Sequence, residues 1–265
     1  MQALLAMQRQ GVSRPLVDCL FTTLQHSIHQ VRTGFGDSTI CYGGSQWIIP
    51  LHGIGQGNGA GPAIWVVIST PLLNLLRKKG YGCELVDPIS GKHYKLVGYA
   101  FIDDTDIIES KPSYVDSIQT SQTLQQAMDV WEGSLNATCG AVVPKKTYWY
   151  LIDFHWEAGI WRYCSIKDCP AELFVKDLQG VRKKIRRCEV WDAQETLGIH
   201  LAPDGNTFQQ AKKMIDLAKT WGNHMRTGKI TRHEAWVALN TTIMRTLIYP
   251  LPALKLLPRY SAKPL

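Results

Sequence analysis

Six stretches of the chain are predicted to be helical from the spacing of their apolar residues and from the residues that open them. Ser13-Arg14-Pro15 suits the start of one helix and Pro62 the first turn of another, because proline is tolerated in a first helical turn. The predicted helices cover residues 2–9, from 13 to about 28, 63–79, 114–136, 207–226 and 231–248.

Shorter β-rich segments lie between these helices and predict small antiparallel pairs. One pair is expected in residues 31–51 with its turn at Gly43-Gly44, and another joins 80–86 to 93–99. Further short strands are expected near residues 148–151, 160–164, 173–175 and 195–199. This order predicts an α+β fold, with a sheet-based domain over residues 1–200 and a small helical region over 201–265.

An acidic hairpin is predicted at residues 97–109, which read VGYAFIDDTDIIE. Asp103, Asp104 and Asp106 stand between two apolar runs that suit strands, so the acidic centre suits the turn. Adjacent carboxylates repel one another unless a divalent cation neutralises them, and hard oxygen ligands favour Mg²⁺, Mn²⁺ or Ca²⁺. On this segment alone, a solvated turn is the alternative.

A glycine-rich loop precedes the third predicted helix, with five glycines between residues 53 and 61. Such a loop lets the backbone approach a ligand closely. No Gly-Lys-Ser/Thr follows it, and no strand precedes a GxGxxG, so neither a P-loop nor a dinucleotide fingerprint is present. A flexible connector is the alternative.

Composition adds limited information about partners and compartment. The net charge is +7, and the sequence RKKIRR at 182–187 is either a solvated face, a nucleic-acid contact or a nuclear signal. The seven cysteines are scattered, which favours an intracellular, nuclear or cytoplasmic protein with reduced thiols. Cys164, Cys169, Cys188 and His155 are not expected to bind zinc, because no CxxC pair exists. No secretory signal or membrane span is expected.

The ordered motifs resemble the palm of a reverse transcriptase, and most closely that of non-LTR (LINE-type) retrotransposons. Gly55-Gln56-Gly57 through Pro62 is similar to the template- and nucleotide-facing loop of that family. Ala100-Phe101-Ile102-Asp103-Asp104 is similar to its metal-binding hairpin. Lys145-Lys146-Thr147 and Thr196-Leu197-Gly198 more loosely fit its lysine motif and primer-grip region.

The resemblance implies an RNA-directed DNA polymerase with a polymerase-like palm, in which helices cover one face of an antiparallel sheet, and a small helical thumb. Asp103 and Asp104 are the implied catalytic and Mg²⁺- or Mn²⁺-binding residues. Gln56, Gly57 and Lys146 would contact the nucleotide or template. The implied partners are an RNA template, a DNA primer and a deoxynucleoside triphosphate.

Two departures from the family pattern affect the expected activity. Gly61 replaces the serine that usually precedes the proline of the loop motif. The family's first metal-binding aspartate lies on a strand before the first helix, and neither that strand nor the fingers is found here. We therefore expect a truncated polymerase domain that is inactive alone; the alternative is a non-catalytic nucleic-acid-binding protein derived from a retroelement.

Overall fold

The computed structural model describes residues 2–43, 59, 61–101, 104–112, 115–138, 140–177 and 179–254. The chain forms two compact units, one of residues 1–146 with 173–184 and the other of residues 147–172 with 185–265. This division reflects compactness within the chain, and the predicted palm and thumb, divided at residue 200, remain a prediction.

The helices lie close to the ranges that the sequence predicts. Ser13 is the N-cap of the second helix, and Pro15 occupies its first turn, as predicted. A π-helical turn, Leu239–Ile243, joins the last two helices into one rod. The helices are α1 (Gln2–Arg9), α2 (Arg14–His26), α3 (Gly61–Lys78), α4 (Ser117–Ala137), α5 (Phe208–Thr227), α6 (Arg232–Ala238) and α7 (Met244–Ile248).

The described strands form two-stranded sheets, so the chain is mixed α and β as predicted, without an extended sheet among the described residues. The strands are β1 (Ile28–Thr33), β2 (Gly36–Gly43), β3 (Cys83–Val86), β4 (His93–Leu96), β5 (Gly98–Phe101), β6 (Asp104–Ile107), β7 (Tyr148–Trp149), β8 (Phe154–Glu157), β9 (Ile160–Tyr163), β10 (Phe174–Lys176), β11 (Arg182–Lys184), β12 (Arg186–Arg187), β13 (Gln194–Thr196) and β14 (Ile199–Leu201).

The first strand pair lies within a segment that was predicted to be one strand of a pair. Residues 31–42 contain a turn at Gly34-Phe35, so β1 pairs with β2. Thr33 closes the turn by donating its hydroxyl to the Gly36 carbonyl at 3.2 Å and accepting the Phe35 N–H at 3.2 Å. The predicted turn at Gly43-Gly44 and the strand after it include residues 44–51, which lie outside the described part, so they stay predictions.

The core of the first unit lies between α3, α4 and the base of the β5–β6 hairpin. Ile107 of β6 packs against this core, and Val97, only 2% exposed, lies just before β5. The buried core residues are Leu72, Leu76, Val97, Ala127, Trp131 and Leu135. Burial of these apolar side chains is the main force that holds the hairpin on the two helices.

Side chains of α4 dock β10 to the same unit. The Gln125 side chain accepts the Phe174 N–H at 2.7 Å and donates to the Phe174 carbonyl at 2.9 Å. It thus makes the pair of hydrogen bonds that the backbone of a neighbouring strand would make. Seven residues later on α4, the buried carboxylate of Glu132 accepts the Lys176 N–H at 2.8 Å. These bonds explain why residues 173–184 belong to the first unit.

The second unit combines short strand pairs with the C-terminal helices. Strand β7 pairs in parallel with β12, β8 with β9, and β13 with β14. Trp149, Ile185 and Val190 are among its buried apolar residues. The rod that begins with α6 has a capping box, in which Thr231 and Glu234 each bond the other's backbone N–H.

None of the helices in the described part of the chain has the length and hydrophobicity needed to cross a membrane.

Candidate functional site

The predicted acidic hairpin is present as β5 and β6. Gly98 pairs with Ile107, Tyr99 with Asp106, and Phe101 with Asp104. Only residues 102 and 103 connect the strands, and they lie outside the described residues. Two paired strands are therefore present as predicted, but Asp104 and Asp106 lie on β6 rather than in the turn.

The two faces of this hairpin differ in polarity. Because side chains alternate along a strand, Asp104 and Asp106 share one face of β6, while Thr105 and Ile107 share the other. The first pair is exposed and the second is half-buried. The cross-strand partners Phe101 and Tyr99 are also exposed. The outer face thus presents two carboxylates beside two aromatic rings.

The surroundings of Asp106 on this face disfavour its ionised form. Partial desolvation of its carboxyl group, and then the negative charge of Asp104, raise the pKa of Asp106 above its ordinary value. A carboxylate that is harder to ionise because of a like charge is stabilised by a divalent cation. Oxygen donors of this type suit Mg²⁺ or Mn²⁺.

Two contacts fix the base of the hairpin. A side chain at Gly98 would collide with the backbone carbonyl oxygen of Asp106, so the close approach of the strands requires glycine. Beyond β6, the buried carboxylate of Glu109 accepts the Gly82 N–H at 2.8 Å and lies 3.3 Å from the ammonium of Lys111. The close approach at Gly98 sets the spacing of the two strands, and the Glu109 bond ties the segment after β6 to Gly82.

The structure describes only some of the other residues that were predicted to form the site. Asp103, Gln56 and Gly57 lie outside the described residues, so their predicted roles stay predictions. Asp104 is on the exposed face of the hairpin. Lys146 is exposed in a turn before β7, where its backbone N–H donates to the Val143 carbonyl at 3.0 Å. Its predicted contact with a nucleotide also stays a prediction.

The basic run 182–187 does not form one continuous solvated patch. Ile185 is buried in its middle. In the first unit, Arg182 stacks over Phe174 at 5.0 Å. In the second unit, Arg187 stacks over Trp149 at 5.0 Å. These arginines therefore stabilise their own strands through cation–π contacts, a role that the density of charge in the sequence did not indicate.

The predicted turn includes Asp104 and Asp106, whereas the structure places both on one face of β6. The signal for this arrangement is the alternation of polar and apolar residues in Asp104-Thr105-Asp106-Ile107, which is typical of a half-buried strand. The close approach at Gly98 was likewise not predicted.

Comparison of the chain with protein-family models, with curated proteins and with solved structures finds no match in any of the three. A relation to reverse transcriptases therefore depends on the sequence motifs and on the chemistry of the hairpin.

Proposed function

We propose that this chain contributes the carboxylate hairpin and adjoining palm of an RNA-directed DNA polymerase of the non-LTR retrotransposon type. The observation that supports the proposal is the exposed pair Asp104 and Asp106 on a hairpin whose other face packs against α3 and α4. In a palm, such a hairpin holds the metal ion rigidly because its base is part of the core.

In this proposal Asp104 and Asp106, with Asp103, hold a divalent cation, and Tyr99 and Phe101 offer aromatic surfaces for a base or sugar. When bound, the cation lowers the pKa of the attacking hydroxyl and neutralises the leaving pyrophosphate. Gln56 and Gly57 shape the nascent base pair, and Lys146 contacts the leaving phosphates.

Polymerisation by the chain is expected to be negligible, because two-metal transfer needs a further carboxylate that bridges both ions. The aspartates before α3 are Asp18 and Asp37, and each already faces an arginine. Asp18 lies 3.4 Å from Arg14, and Asp37 binds Arg32 through two bonds of 2.7 and 3.0 Å. Pairing with Arg32 also holds the pKa of Asp37 below its usual range.

The proposal is tested by titrating the full chain with Mn²⁺ and following its paramagnetic signal, with and without a template–primer duplex. Weak, saturable binding that Asp104→Asn abolishes is expected. Asp216→Asn, which removes the same charge from the exposed face of α5, serves as the matched control and should bind normally.

Failure of Asp104→Asn to change divalent-cation binding would refute the proposal. If the chain binds nucleic acid with a steep salt dependence but without regard to Mg²⁺, the non-catalytic alternative is correct instead. Primer extension in Mg²⁺ or Mn²⁺ separately checks the expectation of negligible activity.

A further inference from the structure

A second cluster of potential ligands lies in the other unit, around the open end of the β8–β9 hairpin. The register pairs Phe154 with Tyr163, which brings Asp153 beside Cys164. The Cys164 N–H donates to the Asp153 carbonyl at 2.8 Å. From the neighbouring strand, Nδ1 of His155 lies 3.5 Å from the Cys164 sulfur.

A short loop, residues 165–168, returns the chain to this point and adds a second thiol. The Asp168 carboxylate accepts the N–H of Ser165 at 2.8 Å and its hydroxyl at 2.7 Å. The Cys169 N–H then donates to the Ser165 carbonyl at 3.2 Å. As a result, the Cys169 sulfur lies 3.9 Å from Oδ2 of Asp153.

Contacts from outside the loop hold it in this conformation. Both carboxylate oxygens of Glu189 accept the Ile166 N–H at 3.1 Å. The guanidinium of Arg187 donates to the Cys169 carbonyl. The loop is therefore fixed at its middle and at its end, which preorganises the two thiols without help from a bound ligand.

Two of the sulfur–ligand distances are close to those of a zinc site. Zinc–sulfur bonds of about 2.3 Å and zinc–nitrogen or zinc–oxygen bonds of about 2.0–2.2 Å place sulfur about 3.6 Å from a neighbouring nitrogen or oxygen ligand. The observed sulfur–ligand distances are 3.5 Å for Cys164 and His155 and 3.9 Å for Cys169 and Asp153. The ligand atoms of Asp153, Cys164 and Cys169 all lie within 4.8 Å of one another, whereas His155 is outside this group and approaches it at Cys164.

We propose that Cys164, Cys169, His155 and Asp153 form a structural binding site for Zn²⁺. Two thiols and an imidazole favour zinc over Mg²⁺, so this site is chemically distinct from the carboxylate hairpin. The other ring nitrogen of His155 lies 3.9 Å from the Glu157 carboxylate, the type of group that orients a zinc-bound imidazole. The site does not depend on the proposed polymerase function.

Zinc binding at this cluster would be coupled to the loss of thiol protons. Binding of Zn²⁺ replaces the protons of both thiols and releases them to solvent. Cys188 is also buried in this unit but does not belong to the cluster.

The test is a titration of the reduced, chelator-treated full chain with Co²⁺, which gives a sulfur-to-cobalt charge-transfer band on thiolate ligation. We expect one Co²⁺ per chain, displaced by Zn²⁺ and unaffected by excess Mg²⁺. Cys169→Ser and His155→Ala should each weaken zinc affinity by at least about 100-fold, because loss of an outer partner alone costs about 10- to 100-fold.

Cys188→Ser is the matched control and should retain the band at full intensity. Asp153→Asn, which keeps the side-chain shape, tests the site even if a cysteine variant fails to fold, and it should also weaken binding. The proposal is wrong if the reduced wild-type chain binds no Co²⁺ or Zn²⁺, if Cys169→Ser binds normally, or if Cys164 and Cys169 are recovered as a disulfide from chelator-free preparations.

Discussion

At Gly98 the two strands of the carboxylate hairpin leave no room for a side chain. A Cβ atom there would collide with the backbone carbonyl oxygen of Asp106. The side chain of Asp106 is part of the exposed acidic face. Backbone atoms cannot move aside as the end of a flexible side chain can. The position of the acidic face therefore depends on the absence of a side chain at Gly98.

Gly98→Ala should lower the free energy of unfolding by about 1–3 kcal/mol, because the added methyl overpacks the hairpin. Denaturant unfolding of the purified chain measures this change. Gly133→Ala on α4 is the control, since a Cβ there meets open space. This control should instead stabilise the chain by about 0.5–1 kcal/mol through its helix propensity. Equal effects of the two variants would contradict the collision.

Asp106 gives the hairpin a stability that depends on pH. Its pKa is raised in the folded chain from the ordinary value of 3.8, so the folded state holds this proton more tightly than the unfolded state. The stability that it contributes is present below the ordinary value and is lost as the pH rises through the raised pKa.

Asp106→Asn should therefore raise the melting temperature at neutral pH, and the gain should shrink as the pH falls below the ordinary aspartate value. Thermal unfolding followed across this pH range checks the sign. A gain that grows on acidification would mean that the pKa of Asp106 is lowered.

Among the elements, α4 acts as a partner for a strand as well as a core helix. Its buried face packs against the core of the first unit, while Gln125 and Glu132 bond the backbone of β10. The two positions are seven residues apart, about two helical turns, so they fall on the same side of the helix. The backbone hydrogen-bonding groups of Phe174 and Lys176, at the edge of the β10–β11 pair, are thereby bonded by side chains of α4.

Gln125→Leu should destabilise the chain by about 1–3 kcal/mol for each unsatisfied group, because the N–H and the carbonyl of Phe174 lose their partner. Chemical denaturation measures the loss. Gln126→Leu, on the exposed side of the same helix, provides the control and should change stability by less than about 0.5 kcal/mol. Similar losses in both variants would exclude the docking role.

Local signals in the sequence predicted the helices and the hairpin well, because periodicity and capping are encoded within a few residues. Ser13-Arg14-Pro15 and Pro62 marked helix starts that the structure confirms. Distant pairings left no such signal: nothing in residues 148–149 indicates a parallel partner at 186–187. The sequence argues against zinc at Cys164, Cys169 and His155 because no CxxC pair exists, and it gives no sign of Asp153, which comes beside Cys164 through hairpin register.

For the whole molecule, the two compact units should respond separately to perturbation. Residues 173–184 belong with the first unit, although they follow residues of the second in the chain. Local stability is shared within a cooperative unit, which amide hydrogen exchange reports directly.

In the full chain, Gly98→Ala should therefore reduce exchange protection in residues 173–184 and in α4, but not in β8 and β9. Mass-spectrometric hydrogen exchange would show the difference. Val190→Ala, at a buried position of the second unit, should produce the converse pattern. Loss of protection throughout the chain in both variants would show a single cooperative unit.

The interleaved order of the two units has a consequence for synthesis on the ribosome. Helix α4 emerges with Glu132 before the strand that bonds its buried carboxylate has been translated, and β7 emerges well before its parallel partner. The first unit is complete only when residue 184 has been added, and the second unit only after residues beyond 184 have followed. A pause in translation before that point leaves two incomplete hydrophobic surfaces exposed together, which is the condition under which chaperones are recruited.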